Sequence, residues 1–199
     1  MRSPVTTKRG DQGMTTAISG LSYPKSHLVI ECSGRVDALR AHTALARLRV
    51  LESGRADAAE SAEFLFWLLH VCFLIGAQCS DPLDRHPEYR HEDMGPGHLA
   101  KLEAFQAALE GRVTLPRSFI VSASSVLAAE LDVATTVARD LEREIVRLKE
   151  AFPEFNAEHI LVFVNRLSDS LFMLARSFED GIHTAVDYSS LERFGTLPG

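Results

Sequence analysis

The chain has 199 residues, 46% hydrophobic and 24% charged, an ordinary globular balance that excludes long disorder and a disulfide-stapled miniprotein. A chain of this size buries roughly 70% of its unfolded surface and needs no metal or crosslink to fold. Twenty-one Lys and Arg against 27 Asp and Glu give a net charge of −6, so a broad basic nucleic-acid footprint is excluded and any phosphate site is local.

Residues 1–25 carry no hydrophobic period. They are rich in Gly, Thr, Ser and Lys and read as an extended, loop-like arm with little apolar surface to pack. A helical pattern runs over 26–52, with Val29, Val36, Leu39, Ala46 and Val50 on one face and Ser53-Gly54 as its stop. A second helix is predicted over 57–78 and is apolar nearly all round, which places it in a core or an interface. Its longest apolar stretch, 64–77, is interrupted by His70 and reads as too short to cross a bilayer. Residues 80–96 read as a charged loop with prolines. A third, shorter helix covers 98–110, and 117–121 has the composition of a short extended stretch. The fourth helix, 124–152, carries the stripe Leu127, Leu131, Ala134, Ala138, Leu141, Ile145 and Leu148 and is stopped by Pro153. The fifth, 156–181, turns Leu161, Val164, Leu167, Leu171, Leu174, Ala175 and Phe178 inward. No strand ladder is evident. The fold class is therefore all-α, an up-and-down five-helix bundle with an irregular N-terminal arm. The expected organisation is an arm over 1–25, a single helical domain over 26–186 and a C-terminal tail over 187–199.

Cys32, Cys72 and Cys79 form no CxxC pair. Cys72 and Cys79 lie about 10 Å apart along a helix, too far to bridge. Buried free thiols in a reducing cytoplasm are expected. The first residues contain no apolar run, so neither a signal peptide nor a membrane partner is expected, and the localisation read is cytoplasmic.

Three segments carry candidate chemistry. Thr7-Lys8-Arg9-Gly10-Asp11-Gln12-Gly13-Met14-Thr15-Thr16 combines glycine turns, hydroxyls and two cations, the parts of a polyphosphate cradle, although the spacing is not that of a P-loop and a plain polar terminus has the same composition. Arg139, Glu142 and Arg143 share one face of the fourth helix. They suit either a triphosphate clamp or a solvated salt-bridged face. Asn165 and Asp169 interrupt the apolar fifth helix at i, i+4, and suit either a ligand or an interhelical hydrogen bond. The two His and three acids over 86–93 lack an ordered ligand spacing and read as a solvated loop, and no metal-ligand set or catalytic triad is evident.

Taken in order, these segments resemble one family. The run from Thr7 to Thr16, then Lys25, then Gly34-Arg35-Val36-Asp37-Ala38-Leu39 is similar to the opening of PduO-type ATP:cob(I)alamin adenosyltransferases. Arg117-Ser118-Phe119-Ile120, Ala138-Arg139-Asp140-Leu141-Glu142-Arg143 and Asn165-Arg166-Leu167-Ser168-Asp169 resemble its later motifs. The resemblance covers about residues 6–178. It implies a trimer of five-helix bundles with ATP between subunits and the arm folded over it. Thr7, Lys8, Arg9, Gly10, Thr15, Thr16 and Lys25 would line ATP from the arm, Arg139, Glu142 and Arg143 from the fourth helix, and Asn165 from the fifth. Arg139 and Phe119 would carry the catalytic roles, Phe119 by closing the lower face of the corrin. Removal of the lower axial ligand makes Co(II) easier to reduce, and Co(I) then attacks the 5′ carbon of ATP. Mg²⁺ would neutralise the triphosphate leaving group, and an adenosylcobalamin-dependent enzyme is the implied downstream partner.

The departures fall in the supporting residues. Gln12 replaces a lysine between the arm glycines, and Val121-Ser122-Ala123-Ser124 replaces a Pro-Gly-Gly turn. Asp140 replaces a basic residue. Thr135 replaces an arginine that pairs with the residue matching Asp37, so Asp37 is expected in water or with another partner, and Thr135→Arg is expected to restore the pair and raise the rate. The retained contacts favour a transferase. The lost ones favour a non-catalytic nucleotide- or corrinoid-binding module on the same trimeric bundle.

Overall fold

The computed structural model of the chain describes residue 8, residues 10–121 and residues 123–190. Five helices dominate: α1 (Leu28–Glu52), α2 (Ala58–Ser80), α3 (Pro96–Glu110), α4 (Val126–Ala151) and α5 (Glu158–Ser177). The predicted faces are the buried ones. Val29, Val36, Leu39, Ala46 and Val50 of α1, Leu131, Ala134, Ala138, Leu141, Ile145 and Leu148 of α4, and Val164, Leu167, Leu171, Leu174 and Ala175 of α5 join one continuous core.

Helix ends follow local chemistry. The His27 ring accepts the Val29 N–H (3.2 Å) and starts α1, while Ser125 accepts the Ala128 N–H (3.1 Å) and starts α4. Pro96 sits in the first turn of α3. The fifth helix stops at Ser177, short of the predicted 181, because Asp180 and Gly181 both adopt left-handed backbone (φ 51° and 74°).

Cross-helix contacts fix the directions. Ser33 meets Ser80 and Arg47 meets the Ala62 carbonyl, so α1 and α2 are antiparallel. Arg35 meets Asp140 and Arg49 meets Glu130, so α4 is antiparallel to α1. Asn165–Glu142 and Arg176–Asp132 make α5 antiparallel to α4, whereas Arg166–Glu103 and Ser170–Gln106 make α3 parallel to α5. The result is up, down, up, down, up.

Three expectations need correction. Among the described residues there are strands, too short to leave a period: β1 (Met14–Thr16) pairs antiparallel with β2 (Ser22–Pro24), and β3 (Ile120–Val121) with β4 (Thr184–Ala185). The arm is therefore partly a hairpin. Its Ala17 and Tyr23 pack against the core, Ser19 is buried, and Tyr23 stacks on His27 with ring centroids 4.3 Å apart. The loop after α2 is folded around a cation, because the largely buried Arg90 side chain meets Asp81, Asp84 and Asp93. Finally, α2 extends to 23 residues and by length and composition could cross a membrane. Half of its most apolar window is buried inside the bundle. Phe66 and Phe73 remain exposed, with the Arg47 and Arg40 guanidiniums lying over their rings at 4.9 and 4.6 Å.

The thiols are as expected. All three are free and buried. Burial pushes the Cys72 thiol up to about 12, and a hydrogen bond with Cys32, then burial, pushes Cys79 up.

Candidate functional site

One end of the bundle holds the arm. The arm turn closes with the Gly13 N–H donating to Gly10 (3.1 Å) and the Lys25 N–H donating to Gly13 (2.8 Å). Gly13 has φ 79°, a conformation that suits glycine. Lys25 lies over Gly10 so closely that an added Cβ there would stand 3.1 Å from its Nζ. The turn thus sets an ammonium beside a run of backbone, with Lys8 and Thr16 exposed and Thr15 half-buried nearby in sequence. Thr7 and Arg9 lie outside the described residues.

A polar face formed by α1, α4 and α5 carries the second group. Asn165 donates from Nδ2 to Glu142 Oε1 at 3.0 Å, so α5 fixes the α4 carboxylate. Arg143 donates to Asp140 at 2.7 Å, the other Asp140 oxygen meets Arg35 at 2.8 Å, and Arg35 reaches Glu31 at 3.0 Å. Asp140, a departure when read by motif, therefore links Arg143 to α1. Arg139 is exposed and makes no hydrogen bond or ion pair among the described residues. A free guanidinium beside a braced carboxylate leaves donors for an incoming anion. Neither Arg35 nor Asp140 was expected as part of this face. The i+4 spacing of Glu31 and Arg35 was the available signal.

Asp37, expected in water or with another partner in place of the arginine that Thr135 replaces, has such a partner. Asp37 is exposed and pairs with Arg40 in its own helix at 2.9 Å. Thr135 is buried, and its hydroxyl donates to the Leu131 carbonyl at 2.9 Å. An arginine at 135 would have to displace core rather than fill an open place.

Phe119 stands at the other end, where β3 leads into α4. Its side chain is 81% exposed, and Val121, Val126, Ile182 and Tyr188 around the same short ladder are also exposed. Arg139 lies 13 residues beyond the start of α4, about 20 Å along its axis. The arm, the α4 face and Phe119 are thus spread along one bundle. Among the described residues no hydrogen bond or ion pair joins the arm to Arg139, Glu142, Arg143 or Asn165.

Under the Phe119 ladder is a buried ionic network. Arg176, with a fully buried side chain, meets Asp132 at 2.7 Å and Glu179 at 3.1 Å, and Glu179 also accepts from His183 Nδ1 at 3.0 Å. Burial raises the Asp132 carboxyl above its usual range, against the pull of Arg176. Arg176 and His183 also line a cleft of about 360 Å³ together with Arg55, Arg112 and Asp180. Arg112 is engaged with Glu60 at 3.0 Å. No cluster of three or more His, Cys, Asp or Glu suited to a metal occurs among the described residues.

The sequence model of the Cobalamin adenosyltransferase family matches residues 5–178. The chain is 32% identical over 179 residues to the corrinoid adenosyltransferase PduO of Citrobacter freundii, covering 89% of this chain and 50% of that protein. It is 31% identical over 179 residues to a corrinoid adenosyltransferase of Mycobacterium leprae, covering 88% and 91%. The human corrinoid adenosyltransferase MMAB is 30% identical over 170 residues, covering 85% and 66%. The chain spans about half the length of the PduO relatives it matches. In fold it is similar to a variant PduO-type ATP:corrinoid adenosyltransferase from Lactobacillus reuteri complexed with cobalamin and ATP, with a TM-score of 0.80 at 24% identity over 92% of this chain and 97% of that one.

Proposed function

The chain belongs to the cobalamin adenosyltransferase family, and from that we propose that it transfers the 5′-deoxyadenosyl group of ATP to the cobalt of cob(I)alamin, giving adenosylcobalamin and triphosphate. Co(I) supplies the electron pair of the new Co–C bond. The C5′–O bond breaks, and its pair leaves with triphosphate. The observation that carries this reading is the exposed, unengaged Arg139 guanidinium beside the Glu142–Asn165 hydrogen bond.

Each group has a role in that step. Arg139 and Arg143 hold the leaving phosphates, and Glu142 and Asn165 orient them. Thr7, Lys8, Arg9, Gly10, Thr15, Thr16 and Lys25 close over the nucleotide. Mg²⁺ would enter with ATP and would neutralise charge on the triphosphate, since Asp140 and Glu142 are already engaged with neighbouring side chains. Phe119, just before the two-residue strand β3, faces the corrin.

The assembly is a homotrimer in this reading. The exposed Phe66 and Phe73 stripe of α2 supports an interface. The spread of the arm, Arg139 and Phe119 along one bundle supports sites completed by a neighbouring copy. The place of action is the cytoplasm, and the product passes to an adenosylcobalamin-dependent enzyme.

The test is to mix the protein anaerobically with ATP, Mg²⁺ and cob(I)alamin and to follow the cobalamin spectrum. Conversion to adenosylcobalamin is expected. Tight ATP binding without conversion would favour the non-catalytic binding module. A monomer mass by light scattering at micromolar concentration would remove the shared-site arrangement.

A further inference from the structure

Phe119 is held by little of its own. Its ring is 81% exposed, so side-chain packing does not fix it. The backbone does: the Val186 N–H donates to the Phe119 carbonyl at 2.9 Å, and β3 pairs with β4 over only two residues. Isolated two-stranded ladders are marginal in water even when longer than this. The run 121–124 that returns the chain to α4 contains neither Pro nor Gly to fix a turn.

Both strands of that ladder are tied, at the end away from Phe119, to one carboxylate. Glu179 Oε1 accepts the backbone N–H of Ser124 at 2.9 Å, just after β3. Glu179 Oε2 accepts from His183 Nδ1 at 3.0 Å, the residue just before β4. The carboxylate is itself buried and stands 3.1 Å from Arg176 Nε, while Arg176 is tied to Asp132 of α4 at 2.7 Å. A buried carboxylate with two hydrogen-bond donors and a guanidinium partner is a stiff anchor, since leaving any of them unmatched is costly.

We propose that Glu179 is the positioning residue for Phe119: it fastens both strands of the β3–β4 ladder, at the end opposite Phe119, to α4 and α5 and so sets the aromatic ring that meets the corrin. This role rests on the transferase reading above. It assigns Glu179, Arg176 and His183 to the corrinoid side of the reaction and not to the nucleotide side, because the nucleotide residues of α4 lie about 20 Å further along the helix.

The experiment compares Glu179→Ala, Glu179→Gln and Phe119→Ala with the unaltered full chain. Hydrogen exchange is read over 117–124 and over the middle of α4, and steady-state constants are read for cob(I)alamin and ATP separately. Removing charge-assisted bonds of this kind corresponds to roughly 10- to 150-fold in an equilibrium. Glu179→Ala should therefore speed exchange over 117–124 by at least about tenfold and raise the cob(I)alamin KM by about tenfold, with the ATP constant unchanged. Glu179→Gln keeps an oxygen for the Ser124 N–H and should fall between. Glu179→Ala added to Phe119→Ala should bring little further loss of rate. Faster exchange along all of α4 and α5 with both constants rising together would overturn the role, and so would unchanged exchange over 117–124. Should Glu179→Ala not fold, Glu179→Gln decides by the same two readouts. An unaltered chain that does not turn over would sink the transferase reading alone, and the exchange data would still judge whether Glu179 anchors the ladder.

Discussion

The α4 face and the Phe119 ladder solve the same problem, holding exposed side chains of the proposed site in place, by opposite means. Arg139, Glu142 and Arg143 project from a 26-residue helix whose underside is Leu141, Ile145 and Leu148, all fully buried. Their backbone is fixed by the core, so the side chains are free to stay exposed. Phe119 stands just before a two-residue strand with no core of its own, and that strand is tied down by a buried ionic network. The contrast teaches where each region is vulnerable. The helical face fails when apolar packing fails, and the ladder fails when a charge is lost.

The sharpest break is a cavity under the helical face. Leu141→Ala should destabilise the bundle by about 2–5 kcal/mol, measured by urea unfolding. If it also loosened exchange over 117–124 more than over α4, the division between the two regions would not stand. Next, Arg139→Ala should leave stability unchanged and weaken ATP binding by roughly 10- to 150-fold, the worth of a charge-assisted phosphate contact. Arg112→Ala is the control, since Arg112 already has Glu60 at 3.0 Å. Equal affinities in a calorimetric titration would reduce the Arg139 face to solvated surface.

A third change probes the seam beneath the face. Thr135 is 3% exposed, so Thr135→Arg should overpack the bundle and lower stability by about 1–3 kcal/mol. A rise in adenosylation rate without loss of stability would restore the idea of a missing pair with Asp37. The smallest effect concerns acid. Asp57 is held below its ordinary value of 3.8, first by the hydrogen bond from Arg55. Its contribution is present above pH 3.8 and is lost as the pH falls through its lowered folded value. Asp132 runs the other way, since burial raises it: its penalty holds above the raised value and is relieved as the pH falls through it. Asp57→Asn should therefore lower the melting temperature slightly at neutral pH and scarcely at all well below pH 3.8. A difference that grew with acid would reverse the sign assigned to Asp57.

The helices were legible because burial on one face imposes a period on sequence, and Leu131 to Leu148 display it over five turns. Their order also carried the up-and-down path. The polar face was half legible: Arg139, Glu142 and Arg143 share a helix, but the link from Arg143 through Asp140 to Arg35 spans two helices and leaves no local trace. The strands were not legible, since two or three residues show no alternation. Glu179 was invisible for a related reason. Its partner Ser124 is 55 positions away, and Arg176 reaches Asp132 across 44. Reading one continuous helix over 156–181 hid the fact that it stops at Ser177 and that the next turn carries a buried carboxylate.

The arginines lying over Phe66 and Phe73 bear on the life of the chain among other proteins. A newly made bundle would otherwise show its greasiest strip to every other unfinished protein around it. Arg47 and Arg40 act as removable covers, charged on the outside and flat against the rings beneath. A stray hydrophobic surface gains little by pushing them aside, because it offers the guanidiniums nothing in return. Only a surface that offered both an apolar seat for the rings and new acceptors for the cations would displace them readily. The covers thus sort encounters by what the newcomer can offer, and they do so before any ligand is bound.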